Sequence, residues 1–302
     1  MLCKPWGRVD PRPWFAGDTG RLRIGEARLR RTTEGAAEPA LLFTDAPLSI
    51  QVHPDDDDDY ARSVGLPQGK TEAWYVLDAV PGAKGALGLK QRMDAAALRQ
   101  AIASGAIADL ADWREVHPGD VVFVPAGTIH AIGAGLVIAE IQQNSDVTFP
   151  LFDYGRNREL HIDAAVSVAR AGPAAAQPVS RRPPVSRRSP VSRKLPVPRK
   201  LPVSRRFPDA RWLLMARPYF ILERIDLPAC SQCDIHAASD TWILALSGDA
   251  RVNAIDLIMG SGIFMAADRA TIKAGPEEIR CLVAFAGHAV KRNLVCPMGV
   301  RS

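Results

Sequence analysis

Of the 302 residues, 47% are hydrophobic and 24% charged, the balance of a globular chain long enough for two domains. The formal net charge is +5, no apolar run reaches the roughly 20 residues of a membrane helix, and Met-Leu-Cys-Lys-Pro-Trp at the start has no apolar signal core. Five cysteines, at 3, 230, 233, 281 and 296, form no disulfide framework, so a soluble protein of the reducing cytoplasm is expected.

The first elements along the chain are short strands. Residues 41–43 and 48–52 are apolar runs parted by the turn Asp45-Ala46-Pro47. The five aspartates at 55–59 read as a solvated loop leading into a short helix from about Asp58. Residues 72–77 form another strand, closed by Pro81-Gly82. The one clear helical pattern covers 93–104, with Asp94 as a cap near its start and Gly105 as its stop. Strands follow at 120–124, 130–132 and 136–142. Short strands closed by Gly/Pro turns, with one helical excursion, predict a small antiparallel barrel rather than a βαβ fold.

Residues 178–207 then read as five hexads, PVSRRP, PVSRRS, PVSRKL, PVPRKL and PVSRRF. They hold ten basic residues and no acid; the rest of the chain has 28 basic against 33 acidic residues, so the basic character belongs to this insert. A proline at every sixth position and clustered like charge predict an extended, disordered linker. Such a segment can tether nucleic acid or another polyanion. With no aromatic residue before Phe207 to stack on bases, a tolerated repeat expansion is the preferred reading. Three parts result: a metal-binding domain at 1–170, a linker at 171–207 and a second domain at 208–302. In the last, 212–225 and 240–252 alternate like strands. Cys230-x2-Cys233-x2-His236 has metal-like spacing but no second half, and reads as a loop with two free thiols.

Strand alternation turns the first domain toward chemistry. Gln51 and His53 share one face, as do Glu72, Trp74 and Val76. His130 opens its strand after the turn at Pro125-Ala-Gly127. An amide oxygen, two imidazoles and a carboxylate suit Zn²⁺, with Fe²⁺, Mn²⁺ and Co²⁺ as alternatives. No cysteine lies nearby, which argues against a closed structural zinc site.

The spacing Gly119-x5-Pro125-x-Gly127-x2-His130 matches the second cupin motif, with Ala134 where that motif ends in Asn. Around it stand, in order, Leu48-Ser-Ile-Gln51-Val-His53-Pro-Asp-Asp, Gly69-Lys70-Thr-Glu72-Ala-Trp74, Ala139-Glu140-Ile-Gln-Gln-Asn-Ser145-Asp146 and Asp153-Tyr-Gly-Arg156. With Lys4-Pro-Trp-Gly-Arg8 and Ile24-Gly-Glu26, these blocks make the chain resemble class I mannose-6-phosphate isomerase of the short bacterial type, from about residue 4 to 162.

That resemblance implies an all-β bicupin: two small antiparallel barrels, a short helical insertion in the first, and a degenerate second cupin without metal ligands. Gly260-Ser-Gly262-Ile-Phe-Met-Ala-Ala267 is similar to a cupin strand and turn without its histidine. The activity implied is a zinc-dependent interconversion of mannose 6-phosphate and fructose 6-phosphate through a cis-enediol. The family's ligands for one Zn²⁺ per chain fall on Gln51, His53, Glu72 and His130. Glu140 matches the position assigned to proton transfer and Lys70 one that binds sugar oxygen or phosphate; their plainer readings are a barrel-rim carboxylate and an exposed loop lysine. Ser49, Asp146 and Arg156 are further matched polar positions for the substrate.

Three departures stand out. Phe149-Pro150 replaces the family's Tyr-Arg, the arginine being the one assigned to catalysis or transition-state charge. No lysine occurs between residues 5 and 69, where one is usual, and Ala27-Arg28 replaces an apolar-Trp pair. Losing one preorganised donor typically costs on the order of 10²–10³ in rate. The second reading is therefore a sugar-phosphate-binding or regulatory cupin that keeps its zinc. A third, an Fe²⁺ cupin oxygenase, is disfavoured by the Gln ligand.

Overall fold

The computed structural model describes residues 1–15, 19–29, 38–66, 68–156, 158–175, 205–207, 211–217, 219–237, 239–286 and 295–297. Four antiparallel sheets form two domains. The first sheet runs, neighbour to neighbour, Leu2–Arg8, Ile24–Arg28, Glu38–Phe43, Leu136–Gln142, Glu72–Ala79, Val121–Val124. The second runs Phe149–Phe152, Ile50–Val52, His130–Ile132, Lys84–Leu89, Ala111–Glu115. The third runs Arg205–Phe207, Arg211–Ala216, Phe220–Leu227, Ile279–Ala286, Thr241–Ser247, Gly262–Met265. The fourth runs Ile255–Leu257, Ala250–Val252, Arg269–Ala274, Gln232–His236, Val295–Pro297. Counted within each half of the chain, the strand order of the second pair repeats that of the first, so the bicupin architecture is present.

The strand Leu136–Gln142 shows how the halves join. All seven of its residues are buried, because both of its faces are covered. Leu136 and Ile138 point into the first domain with Trp6, Leu42, Trp74, Val76 and Ile132. Val137, Ala139 and Ile141 point the other way, into a cluster with Phe220, Leu222, Trp242, Leu244 and Leu282 of the second domain. The first and third sheets thus pack face to face. On the far side of the second sheet, Ile50, Val52, Ala86 and Leu89 bury against the helices through Leu98, Ile102, Ile107 and Ala165. The interior of the second domain is apolar, with Ile225, Ile235, Ile243, Ile272, Val283 and Phe285 at its centre.

The expected helix occupies Ala95–Ser104, with Asp94 accepting from the Ala97 N–H at 2.8 Å and Gly105 left-handed at φ 78°. The acidic run does lead into a helix, Asp59–Ser63. Two further helices, Ile107–Leu110 and Ile162–Val168, carry too few turns for a periodic signal; packing of Ile107 and Ala165 into the apolar layer holds them. The run 212–225 is a hairpin, not one strand, broken near Tyr219 at φ 80°. The run 240–252 is broken at Gly248, where the chain passes from Thr241–Ser247 in the third sheet to Ala250–Val252 in the fourth.

The linker's edges are structured. Gly88 bridges Pro173, and Leu89 N–H donates to the Gly172 carbonyl at 2.9 Å, so 171–175 lies on the first domain. Arg205–Phe207 pairs with Arg211–Leu213 at the edge of the third sheet. The body of the hexad repeat, 178–204, lies outside the described residues. Cys233 is buried in the second domain's interior, whereas Cys230 and His236 are exposed. The two cysteines are free thiols, as expected, but Cys233 sits in a strand rather than a loop. No described helix is long and apolar enough to cross a membrane.

Candidate metal centre

Three strands bring the centre together at one end of the first domain. Ile50–Val52 pairs with His130–Ile132 through Gln51 and His130. The Gly127 N–H donates to the His53 carbonyl at 2.7 Å, which ties the end of one strand to the turn before the other. Gly127 is left-handed at φ 78°, a backbone state that favours glycine. Lys70 reaches the same place because its N–H donates to the Pro54 carbonyl at 3.0 Å. A side chain on Gly69 would meet that carbonyl oxygen at 2.5 Å, so the approach needs glycine.

His53, Glu72 and His130 are 1%, 0% and 1% exposed, and their ligand atoms lie within 4.8 Å of one another. His53 Nε2 is 3.4 Å from Glu72 Oε2, and His130 Nε2 is 3.3 Å from Glu72 Oε1. Neighbouring ligands around a four-coordinate divalent ion with bonds of about 2.1 Å are about 3.4 Å apart. Each imidazole donates its Nδ1–H to a backbone carbonyl at 2.8 Å, His53 to Val147 and His130 to Thr128. That fixes the tautomer and leaves both Nε2 lone pairs facing Glu72. Trp74 Nε1 donates to Glu72 Oε1 at 2.9 Å. His53 Nε2 and Glu72 Oε2 remain buried without a hydrogen-bond partner. Two orphaned acceptors facing each other are costly in a protein interior, and a bound cation satisfies both. The described residues fit a metal ion.

The electrostatics agree. Burial, then the Lys70 charge, push His53 down to about 3, and burial also lowers His130, so both stay neutral and able to ligate. Burial works against the Glu72 charge, but the Lys70 ammonium beside it outweighs burial and holds the carboxyl well below its usual range. Glu140 behaves oppositely: burial, then the Glu72 charge, push it up to about 8. One carboxylate is kept ionised and another protonated in a single pocket, a separation of roles typical of proton-transfer sites.

The other expected residues divide. Lys70 is 7% exposed, with Nζ 3.4 Å from Glu72 Oε2. It is not an exposed loop lysine. Glu140 shares its strand face with Gln142, which is in register with Glu72, and is itself in register with Trp74. Ser49 is 2% exposed and donates to Gln51 Oε1 at 3.1 Å, while Gln51 Nε2 lies 3.3 Å from His130 Nε2. Asp146 pairs with Arg28, which also holds Glu26 at 2.9 Å. Arg156 stands apart: it donates to the Pro47 carbonyl at 2.8 Å and to Asp153 at 2.7 Å, and lies over the Tyr154 ring. Pro150 pairs in register with Gln51 on the edge strand, where a missing N–H is tolerated.

Sequence reasoning missed four supports. Trp74 was marked by its i+2 spacing from Glu72. The Val147 and Thr128 carbonyls carry no side-chain signal at all. Arg158, whose Nη1 donates to Ser49 Oγ at 3.0 Å, lies 109 residues from its partner.

Fold and centre together define the class: a two-domain cupin whose first barrel has a buried His-Glu-His cluster that can hold a metal ion. The chain is 43% identical over 138 residues to mannose-6-phosphate isomerase of Streptococcus mutans, and 39% identical over 134 residues to one of Bacillus subtilis. These matches cover 43% and 42% of each chain, so the chain spans less than half the length of the curated relatives it matches. The crystal structure of mannose 6-phosphate isomerase from Bacillus subtilis superposes with TM-score 0.62 at 23% identity, over 89% of this chain and 76% of that one, and it establishes the fold alone. No family model matches. The chain is thus similar to mannose-6-phosphate isomerases in sequence over part of its length, and to their fold over most of it.

Proposed function

We propose that the centre holds one Zn²⁺ on Gln51, His53, Glu72 and His130, and that the protein interconverts mannose 6-phosphate and fructose 6-phosphate. The observation that supports this most is the buried triad, with both imidazole Nε2 atoms aimed at Glu72, in a relative of those isomerases. When bound, zinc would supply positive charge against the negative charge that develops on the sugar oxygens. The chain's own residues do the rest. Glu140, a buried carboxyl in register with Trp74 on the neighbouring strand, is the group that, once ionised, takes a proton from C1 or C2 of the sugar and returns it to the other carbon of the cis-enediol. Lys70 orients a sugar oxygen from beside Glu72, and Trp74 fixes the Glu72 carboxylate from below. The apolar layer around Trp74 and Ile138 closes the pocket floor to water.

A second reading is a sugar-phosphate-binding cupin with impaired turnover. Pro150 standing across from Gln51 favours it, since no guanidinium issues from that position and Arg156 is engaged elsewhere. A coupled assay of mannose 6-phosphate isomerisation, with zinc, on the unaltered protein and on Pro150→Arg separates the two. Turnover at ordinary isomerase rates in the unaltered protein removes the impaired reading. A gain on the order of 10²-fold in Pro150→Arg supports it. No turnover in either, with zinc bound, overturns the isomerase.

A further inference from the structure

Most arginines described in the first domain stand beside a carboxylate: Arg8, Arg28, Arg99, Arg114, Arg156 and Arg170, for example, each have an Asp or Glu within 4 Å. Arg158 is different. Its side-chain bond among the described residues runs from Nη1 to the Ser49 hydroxyl, at 3.0 Å, and no described carboxylate pairs with it. Ser49 is buried and donates to Gln51, whose amide lies against His130, so the guanidinium is anchored three hydrogen-bonded links from the triad. The bond to Ser49 uses one of five N–H donors, and the exposed remainder is free for a ligand. Lys70 and Lys4 are engaged, with Glu72 and Glu26 respectively. An exposed guanidinium anchored through one N–H, with no described carboxylate beside it, is an anion receptor.

We propose that Arg158, steadied by Ser49, binds the phosphoryl group of the sugar phosphate and so sets specificity for phosphorylated over free sugar. This rests on the sugar-phosphate reading above. The Ser49–Gln51–His130 chain of bonds ties the guanidinium to the triad, where a C1–C2 unit would sit, and leaves the phosphoryl group to Arg158. The guanidinium suits that group because its fork matches two phosphoryl oxygens at once.

The test is calorimetric binding of fructose 6-phosphate and of free fructose to the zinc-loaded full chain, with bound zinc measured for each variant. Arg158→Met is expected to weaken fructose 6-phosphate by about 10–100-fold. Fructose binding, zinc content and melting temperature should not move. Arg158→Lys, which keeps the charge but not the fork, should fall between the two. Inorganic phosphate should compete with fructose 6-phosphate in the unaltered protein and lose that ability in Arg158→Met. Unchanged fructose 6-phosphate affinity in Arg158→Met, or equal weakening of the free sugar, overturns the assignment while leaving the sugar-phosphate reading in place. If the zinc-loaded unaltered protein binds no sugar phosphate, both fall together.

Discussion

Glu72 and Glu140 lie on neighbouring strands and face the same pocket, yet their carboxyls are driven in opposite directions. Glu72 has the Lys70 ammonium at hand; Glu140 has burial and the Glu72 charge against it. The Glu140 shift makes a pH prediction for the metal-free protein. Its folded pKa of about 8 lies above the ordinary 4.5, so its contribution to stability is complete below about pH 4.5 and is lost as pH rises through 8. Melting temperatures measured in chelator from pH 5 to 9 should therefore fall more steeply for the unaltered protein than for Glu140→Gln. Equal slopes would remove the buried, protonated carboxyl from the account. With zinc restored, Glu140→Gln should keep its metal and lose on the order of 10²–10⁴ in isomerase rate. At this scale the sequence was legible where chemistry follows residue type and i+2 spacing, as for His53 and Glu72. It was not legible at Arg156 and Arg158. Two arginines in one loop look alike in sequence, and only the positions of Asp153, Pro47 and Ser49 separate their roles.

Among the elements, the strands Gln232–His236 and Ile279–Ala286 show what alternation decides. Cys233 and Cys281 fall on inward positions and are buried, while Cys230 lies on an exposed turn at φ 56°. Burial pushes the Cys233 thiol up to about 12 and raises Cys281 as well, so neither forms thiolate near neutrality. Alkylation of the native protein at pH 8, read by mass spectrometry, should label Cys3 and Cys230 and spare Cys233 and Cys281 until the chain is unfolded. Rapid native labelling of Cys281 would show that the second domain opens readily. The metal-like spacing of Cys230, Cys233 and His236 thus comes to nothing, because a strand sends positions 233 and 236 to opposite faces. Helices were legible in proportion to their length. Ala95–Ser104 has a cap, a stop and nearly three turns, whereas Ile107–Leu110 has one turn and no capping side-chain bond.

Across the whole molecule, two copies of one strand order stack through the first and third sheets, and the shared cluster contains Leu41, Phe43 and Val137 from one side and Phe220, Trp242 and Leu282 from the other. Phe220 is fully buried there. Phe220→Ala is expected to cost about 3–5 kcal/mol and to lower the stability of both halves together, in one thermal transition. Two separate transitions, with the metal-binding half unmoved, would mean the sheets do not couple the domains. The residue order alone established the strands of the first domain, the ligand types and the family likeness, because alternation, turn residues and motif spacing are local properties of the chain. Tertiary structure decided what those residues do together. The Val147 carbonyl that sets the His53 tautomer is 94 residues away, and the second face of Leu136–Gln142 is covered by strands beyond residue 211. Contacts of that kind are set by packing between distant segments, and no local pattern encodes them.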